Sequence, residues 1–167
     1  LEYGKKKIEE EPEDPMAYYE YGVQCTEFRA YEEAAVAFKK TLDLSPAFPS
    51  VEVQLGMSLF NLGRYKESIN YLQQGLSKEP ENPGLYNNLA SVYFEMGELD
   101  KAVDLYTKAI SIHPGYAAAY KNLGLAYLKS KVMDKSLDSL RKAISINPTM
   151  EDVSRLIKEL EGLKIDG

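Results

Sequence analysis

Residues 83–116 read PGLYNNLASVYFEMGELDKAVDLYTKAISIHPGY, and the placing of their apolar side chains decides the fold. Leu85, Tyr86, Leu89, Val92 and Tyr93 recur at spacings of three and four, and so do Leu99, Ala102, Val103, Tyr106, Ala109 and Ile110. That period is the signature of two amphipathic helices. Between them Gly97 tolerates the left-handed backbone that ends a helix. Pro114 closes the second helix because it cannot continue one.

The same punctuation runs along the chain. Pro12, Pro46, Pro80, Pro114 and Pro148 are spaced by 34 residues, and such a fixed period marks a repeat architecture. Four blocks follow without insertion: 15–48, 49–82, 83–116 and 117–150. Aligned, they share small columns (Gly22, Gly56, Ala90, Gly124; Ala34, Ser68, Ala102, Ser136; Thr41, Gly75, Ala109, Ala143) and a large column, Phe38, Leu72, Tyr106, Leu140. Small residues let helix backbones approach while large ones fill the space above. Gly63 and Gly97 mark the break inside the middle blocks, with Arg29 and Lys131 in that slot in the outer ones. One hairpin cannot bury its own apolar face, but stacked neighbours can, so the array is a solenoid. The pattern predicts helices near 15–28, 31–44, 49–62, 65–78, 83–96, 99–112, 117–130, 133–146 and 151–163.

Residues 1–14 and 151–167 flank the blocks. Pro12 is in phase, so Lys5 to Glu11 reads as a tail or remnant of the second helix of a preceding repeat. Val153, Leu156, Ile157, Leu160 and Leu163 share one face of a C-terminal helix, opposite Asp152, Arg155, Lys158, Glu159 and Glu161. Such a helix caps the open end of a stack.

The run Tyr86-Asn87-Asn88-Leu89-Ala90 followed by Tyr93, Gly97, Ala102, Tyr106, Ala109 and Pro114, repeated in phase over residues 15–150, resembles the tetratricopeptide repeat. Glu52 departs from the aromatic column of Tyr18, Tyr86 and Tyr120, and Cys25 stands where Tyr93 and Tyr127 recur. The resemblance implies an all-α, right-handed superhelical solenoid of antiparallel helix pairs. It also implies that the first helix of each block lines a concave surface. By that carry-over the peptide-binding groove takes Tyr19 and Glu20 from the first block and Val53, Gln54, Met57 and Asn61 from the second. Asn87, Asn88 and Ser91 come from the third block, and Lys121, Asn122, Leu125 and Lys129 from the fourth.

The column Gln54, Asn88, Asn122 offers carboxamides, which both donate to and accept from a peptide backbone; the alternative is bonding to a neighbouring helix. Glu20 and Glu27 against Lys121 and Lys129 would orient a bound segment with its acidic end toward the fourth block. Family members that grip the acidic tails of chaperones use a clamp of Lys, Arg and Asn. Here its slots hold Tyr19, Val23, Gln54, Gly84 and Asn88 in one frame and Val53, Met57, Asn88, Ala118 and Asn122 in the other, with no cation. A neutral or apolar extended peptide, or a partner helix, is the expected guest.

Composition narrows the function classes. The chain has 167 residues, 44% hydrophobic and 28% charged, an ordinary globular composition. Its net charge of −6 sits mainly at the ends, leaving residues 15–150 with fourteen basic and fifteen acidic residues. Nucleic-acid binding needs a clustered basic surface, and none appears. No apolar run is long enough for a membrane span. The lone cysteine, Cys25, gives no disulfide framework and reads as core packing. It fits a reducing, cytoplasmic compartment, although a cysteine-poor chain also suits a periplasm. A start at Leu1 rather than Met reads as an excised fragment. The lone His113 precedes Pro114 at a helix end, where it caps carbonyls. Metal-ligand spacings, phosphate loops and nucleophile elbows are missing, so neither catalysis nor a cofactor is expected. The chain reads as an adaptor for another protein or peptide. A self-assembling homo-oligomeric scaffold and the recognition module of a larger enzyme or secretion complex are the alternatives.

Overall fold

A computed structural model describes the backbone of residues 1–165 and side chains as far as residue 162. Ten helices and no strand occur among the described residues. They are α1 (Glu2–Glu10), α2 (Pro15–Glu27), α3 (Tyr31–Leu44), α4 (Val51–Asn61), α5 (Tyr65–Lys78), α6 (Pro83–Glu95), α7 (Leu99–Ile112), α8 (Ala117–Lys129), α9 (Met133–Ile146) and α10 (Glu151–Ile165). The fold is an all-α helical-repeat solenoid. It divides into two compact units, Leu1–Glu79 and Pro80–Gly167.

In the first unit α1 lies on α2, α2 pairs with α3, α3 packs on α4 and α4 pairs with α5. Its interior gathers Tyr21, Cys25, Ala34, Phe38, Val51, Leu55 and Leu59. In the second unit α6 pairs with α7, α7 packs on α8, α8 pairs with α9 and α9 carries α10. Ala90, Ala102, Tyr106, Leu123 and Ala126 form one cluster there, and Leu137, Leu140, Val153, Ile157 and Leu160 another. Leu163, read from the sequence as part of the apolar face of α10, lies outside the described side chains.

Each hairpin turns in the same way. Arg29, Gly63, Gly97 and Lys131 have φ of 58°, 73°, 79° and 62°. The next amide reaches back across the turn: Ala30 N–H to Cys25 O (2.8 Å), Arg64 to Leu59 (2.9 Å), Glu98 to Tyr93 (2.9 Å) and Val132 to Tyr127 (2.9 Å). This six-to-one bond satisfies a carbonyl at the helix end and requires the left-handed residue before it. Two blocks supply glycine there, and two impose the strain on a long basic side chain.

The small column is a crossing point. A Cβ added at Gly22 would fall 2.7 Å from the Phe38 ring, one at Gly56 2.9 Å from Leu72, and one at Gly124 2.7 Å from Leu140. Ser68 Oγ donates to Gly56 O at 2.7 Å and Ser136 Oγ to Gly124 O at 2.8 Å, so the close approach also carries a buried hydrogen bond. Gly4 of α1 stands one repeat before Phe38. A Cβ there would be 2.7 Å from Tyr21, so α1 is set close against α2 by a small residue where the other second helices carry a large one.

Helix starts follow their caps. Asp14 accepts from Met16 N–H at 3.0 Å, and Asn82 accepts from Gly84 and Leu85; each precedes a proline in the first turn. The matching residue in the second block is Phe48, which cannot cap and instead packs against Tyr19, the two rings tilted by 34° with centroids 5.0 Å apart. Ser50 then takes a left-handed φ of 60°, and α4 spans 51–61 where the periodicity predicts 49–62.

Glu52, the odd member of an aromatic column, is 4% exposed and ion-paired with Lys78, whose Nζ also donates to Pro46 O at 3.1 Å. Lys78 itself occupies the register of Leu44, Ile112 and Ile146. The second block has therefore exchanged a whole apolar pair for a charged one, which offsets the desolvation that either charge would suffer alone.

Candidate peptide-binding faces

Adjacent first helices touch within each unit, α2 with α4 and α6 with α8. Each unit thus presents its own first-helix face.

On the face of the first unit, Tyr19 is half-buried, its ring 5.7 Å from that of Phe38 and tilted against that of Phe48, so it ties α2 to the segment leading into α4. Glu20 takes an ion pair from Lys7 of α1 at 2.7 Å. Val53, Gln54 and Met57 are half-buried on α4, and the Gln54 carboxamide makes no side-chain hydrogen bond among the described residues. Asn61 is exposed and turns its amide back to Met57 O at 2.8 Å, as a helix-end contact.

On the face of the second unit a polar network links α6 to its neighbours. Asn122 Nδ2 donates to Asn87 Oδ1 at 3.0 Å, and Asn87 is 8% exposed. Ser91 Oγ lies 3.0 Å from Asn87 O and 3.0 Å from the Tyr106 hydroxyl. Burial pushes that phenol up to about 12. Asn88 is half-buried with no side-chain hydrogen bond among the described residues, and Leu125 is half-buried on α8. Lys121 pairs with Asp152 of α10 at 2.5 Å, and this bond holds the Asp152 carboxyl below the usual carboxylate range. Lys129 donates to Phe94 O at 3.2 Å with its ammonium 4.4 Å from the Phe94 ring.

The carboxamide column therefore divides. Asn122 bonds a neighbouring first helix, whereas Gln54 and Asn88 make no side-chain hydrogen bond among the described residues. Of the charges assigned to groove polarity, Glu27 has no ion pair among the described residues, whereas Glu20, Lys121 and Lys129 are engaged within their own unit. Their partners lie outside any single column. Asn87 with Asn122, and Phe94 with Lys129, are 35 residues apart, one repeat plus one, so these contacts between first helices run one position off the repeat register. Sequence reading within a column does not see that offset.

The remaining singled-out side chains are structural. Cys25 is fully buried, and burial pushes its thiol up. His113 is the residue at the C-terminus of α7, its N–H bonded to Ala109 O at 3.0 Å and its ring tilted against Tyr116. Among the described residues no helix is long and apolar enough to cross a membrane.

Comparison with known proteins agrees with this geometry. Residues 90–131 match a TPR repeat model, and residues 59–106 and 117–150 match tetratricopeptide repeat models. No curated protein sequence matches the chain. Among solved structures, a crystal structure of MamA is similar at 27% identity with a TM-score of 0.77, over 89% of this chain and 87% of that one. MamA 41-end from Desulfovibrio magneticus RS-1 is similar at 21% identity with a TM-score of 0.79, over 89% and 84%. The first TPR of Spaghetti (RPAP3), solved bound to the HSP90 peptide SRMEEVD, is similar at 22% identity with a TM-score of 0.65, over 69% and 91%. Repeat models matched in overlapping succession from residue 59 to residue 150, on hairpins that share one turn and one crossing, mean that the chain belongs to the tetratricopeptide repeat family and is a protein-interaction module.

Proposed function

We propose that this chain is an adaptor that holds an extended peptide or a partner helix on its first-helix faces. The observation that carries the reading is that each face holds, in the same register of its repeat, a half-buried carboxamide with no side-chain hydrogen bond among the described residues, Gln54 in the first unit and Asn88 in the second. A primary amide meets both an N–H and a C=O of a guest backbone and is indifferent to the guest's side chains. Met57 and Leu125, half-buried on the same faces, add adaptable apolar contact. The similar RPAP3 domain holds a peptide ending in acidic residues. Here the corresponding slots carry no cation, and Lys121 and Lys129 are engaged internally, so a neutral or apolar guest is preferred.

Peptides recovered from lysate on the immobilised chain supply the test. Calorimetry with a recovered peptide should show Gln54→Ala and Asn88→Ala each weakening binding by about 0.5–1.5 kcal/mol, a net hydrogen-bond contribution. The loss should be alike at low and high salt, because neither group is charged. Unchanged affinity in both variants, with the fold intact, would place the guest elsewhere.

A further inference from the structure

The first unit carries two equivalent grooves on the outer side of its second helices, and only one of them is filled. The groove between α3 and α5 is lined by Lys39, Leu55, Glu67 and Tyr71 and retains a cavity of about 190 Å³. The groove between α1 and α3 is lined one repeat earlier by Lys5, Tyr21, Glu33 and Ala37, and its cavity is about 510 Å³. Two substitutions in register account for the difference. Tyr71, packed against the core, is replaced by Ala37. Arg64, whose guanidinium clasps Glu67 through two bonds of 2.8 Å, is replaced by Ala30. Glu33 consequently has no ion pair among the described residues, and Ile8, Tyr18 and the 64%-exposed Val36 line an apolar opening beside it.

We propose that this groove is a second docking site, separate from the first-helix faces, for a partner protein's helix carrying an arginine at its N-cap and an aromatic side chain seven residues further on. The occupant is defined by what the filled groove contains: Arg64, the N-cap residue that leads into α5, and Tyr71 within α5 lie seven residues apart. The aromatic enters the space over Ala37, and the guanidinium meets Glu33 in the bidentate geometry that Arg64 uses on Glu67. Charge favours the encounter, since Leu1–Glu79 holds fourteen acidic and nine basic residues.

The experiment uses the full chain and an alanine-based helical peptide of about 16 residues, long enough to hold a helix, with Arg at its N-cap position and Tyr seven positions further on. Binding should appear in nuclear magnetic resonance titration as shifts confined to α1, the outer side of α3 and Tyr18. Peptides with the Arg replaced by Glu, or the Tyr by Ala, should bind about tenfold more weakly or worse, as expected for loss of a buried aromatic or a charge-assisted clasp. Ala30→Arg with Ala37→Tyr should fill the groove from within and abolish binding while leaving the melting temperature unchanged or higher. The backbone already permits it, because Ala30 (φ −84°, ψ 67°) matches Arg64 (φ −82°, ψ 59°). Should that variant fail to fold, Glu33→Lys serves instead and should remove binding of the Arg peptide alone, leaving the Glu-substituted peptide at least as well bound. The proposal is overturned if the probe does not bind, if it binds the filled variant as well as the parent, or if its shifts fall on α4, α6 or α8. A dimer in light scattering that Ala37→Tyr dissolves would also overturn it, by making a second copy the occupant.

Discussion

Asn122 and Asn88 occupy one column, yet their side chains have different jobs. Asn122→Ala strands the buried Oδ1 of Asn87 and should cost about 1–2 kcal/mol of stability, the usual penalty for an orphaned buried acceptor. Asn88→Ala should leave the thermal midpoint nearly unchanged, so denaturation of the two variants in parallel separates a strut from a contact residue. Glu52 and Lys78 allow a sharper comparison. Lys78→Met leaves a buried carboxylate without its cation and should cost about 2–3 kcal/mol, below the full penalty for a broken buried pair because Lys78 is itself partly exposed. Glu52→Tyr with Lys78→Ile restores the pairing of the third block, Tyr86 and Ile112, and should recover at least the parent stability in urea. Failure of that rescue would mean that the ion pair, and not the space it occupies, is what the second block requires.

At the level of the helix pair, the sequence made the repeat legible because turn and crossing each depend on one residue type at a fixed place. The left-handed turn residue and the small column could be read without coordinates, and the hairpins stand where those columns put them. The start of α4 was not legible, since it depends on Phe48 finding Tyr19, a contact across 29 positions that no local cap announces. The candidate faces were legible only as a set of residues. Which of them are spent on internal bonds depends on the one-residue offset of the contacts between first helices. Two measurements probe the elements themselves. Gly63→Ala, where an added Cβ meets no atom within 4 Å, should still cost about 1 kcal/mol from the left-handed backbone alone, and Lys131→Gly should gain up to about the same. Ala102→Leu, at a fully buried crossing residue, should cost about 1–3 kcal/mol by overpacking, read as a lowered thermal midpoint.

Across the whole molecule, each unit has its own buried cluster and its own sequence of paired helices. Fragments 1–79 and 80–167 should therefore each show helical circular dichroism and a cooperative melt, and an unstructured fragment would contradict that independence. Removing residues 151–167 uncovers Leu137 and Leu140, which now pack beneath Val153, Ile157 and Leu160. The shortened chain should lose solubility and melt earlier, because the end of a helical stack is apolar without its last helix. The burial of Cys25 gives one more consequence. As the sole thiol of the chain, inaccessible and poorly ionised when folded, it can be alkylated only when its surroundings open. The rate of its modification under native conditions is thus a clock for the opening of residues 1–79 alone, read in the intact chain without any label, while residues 80–167 remain silent.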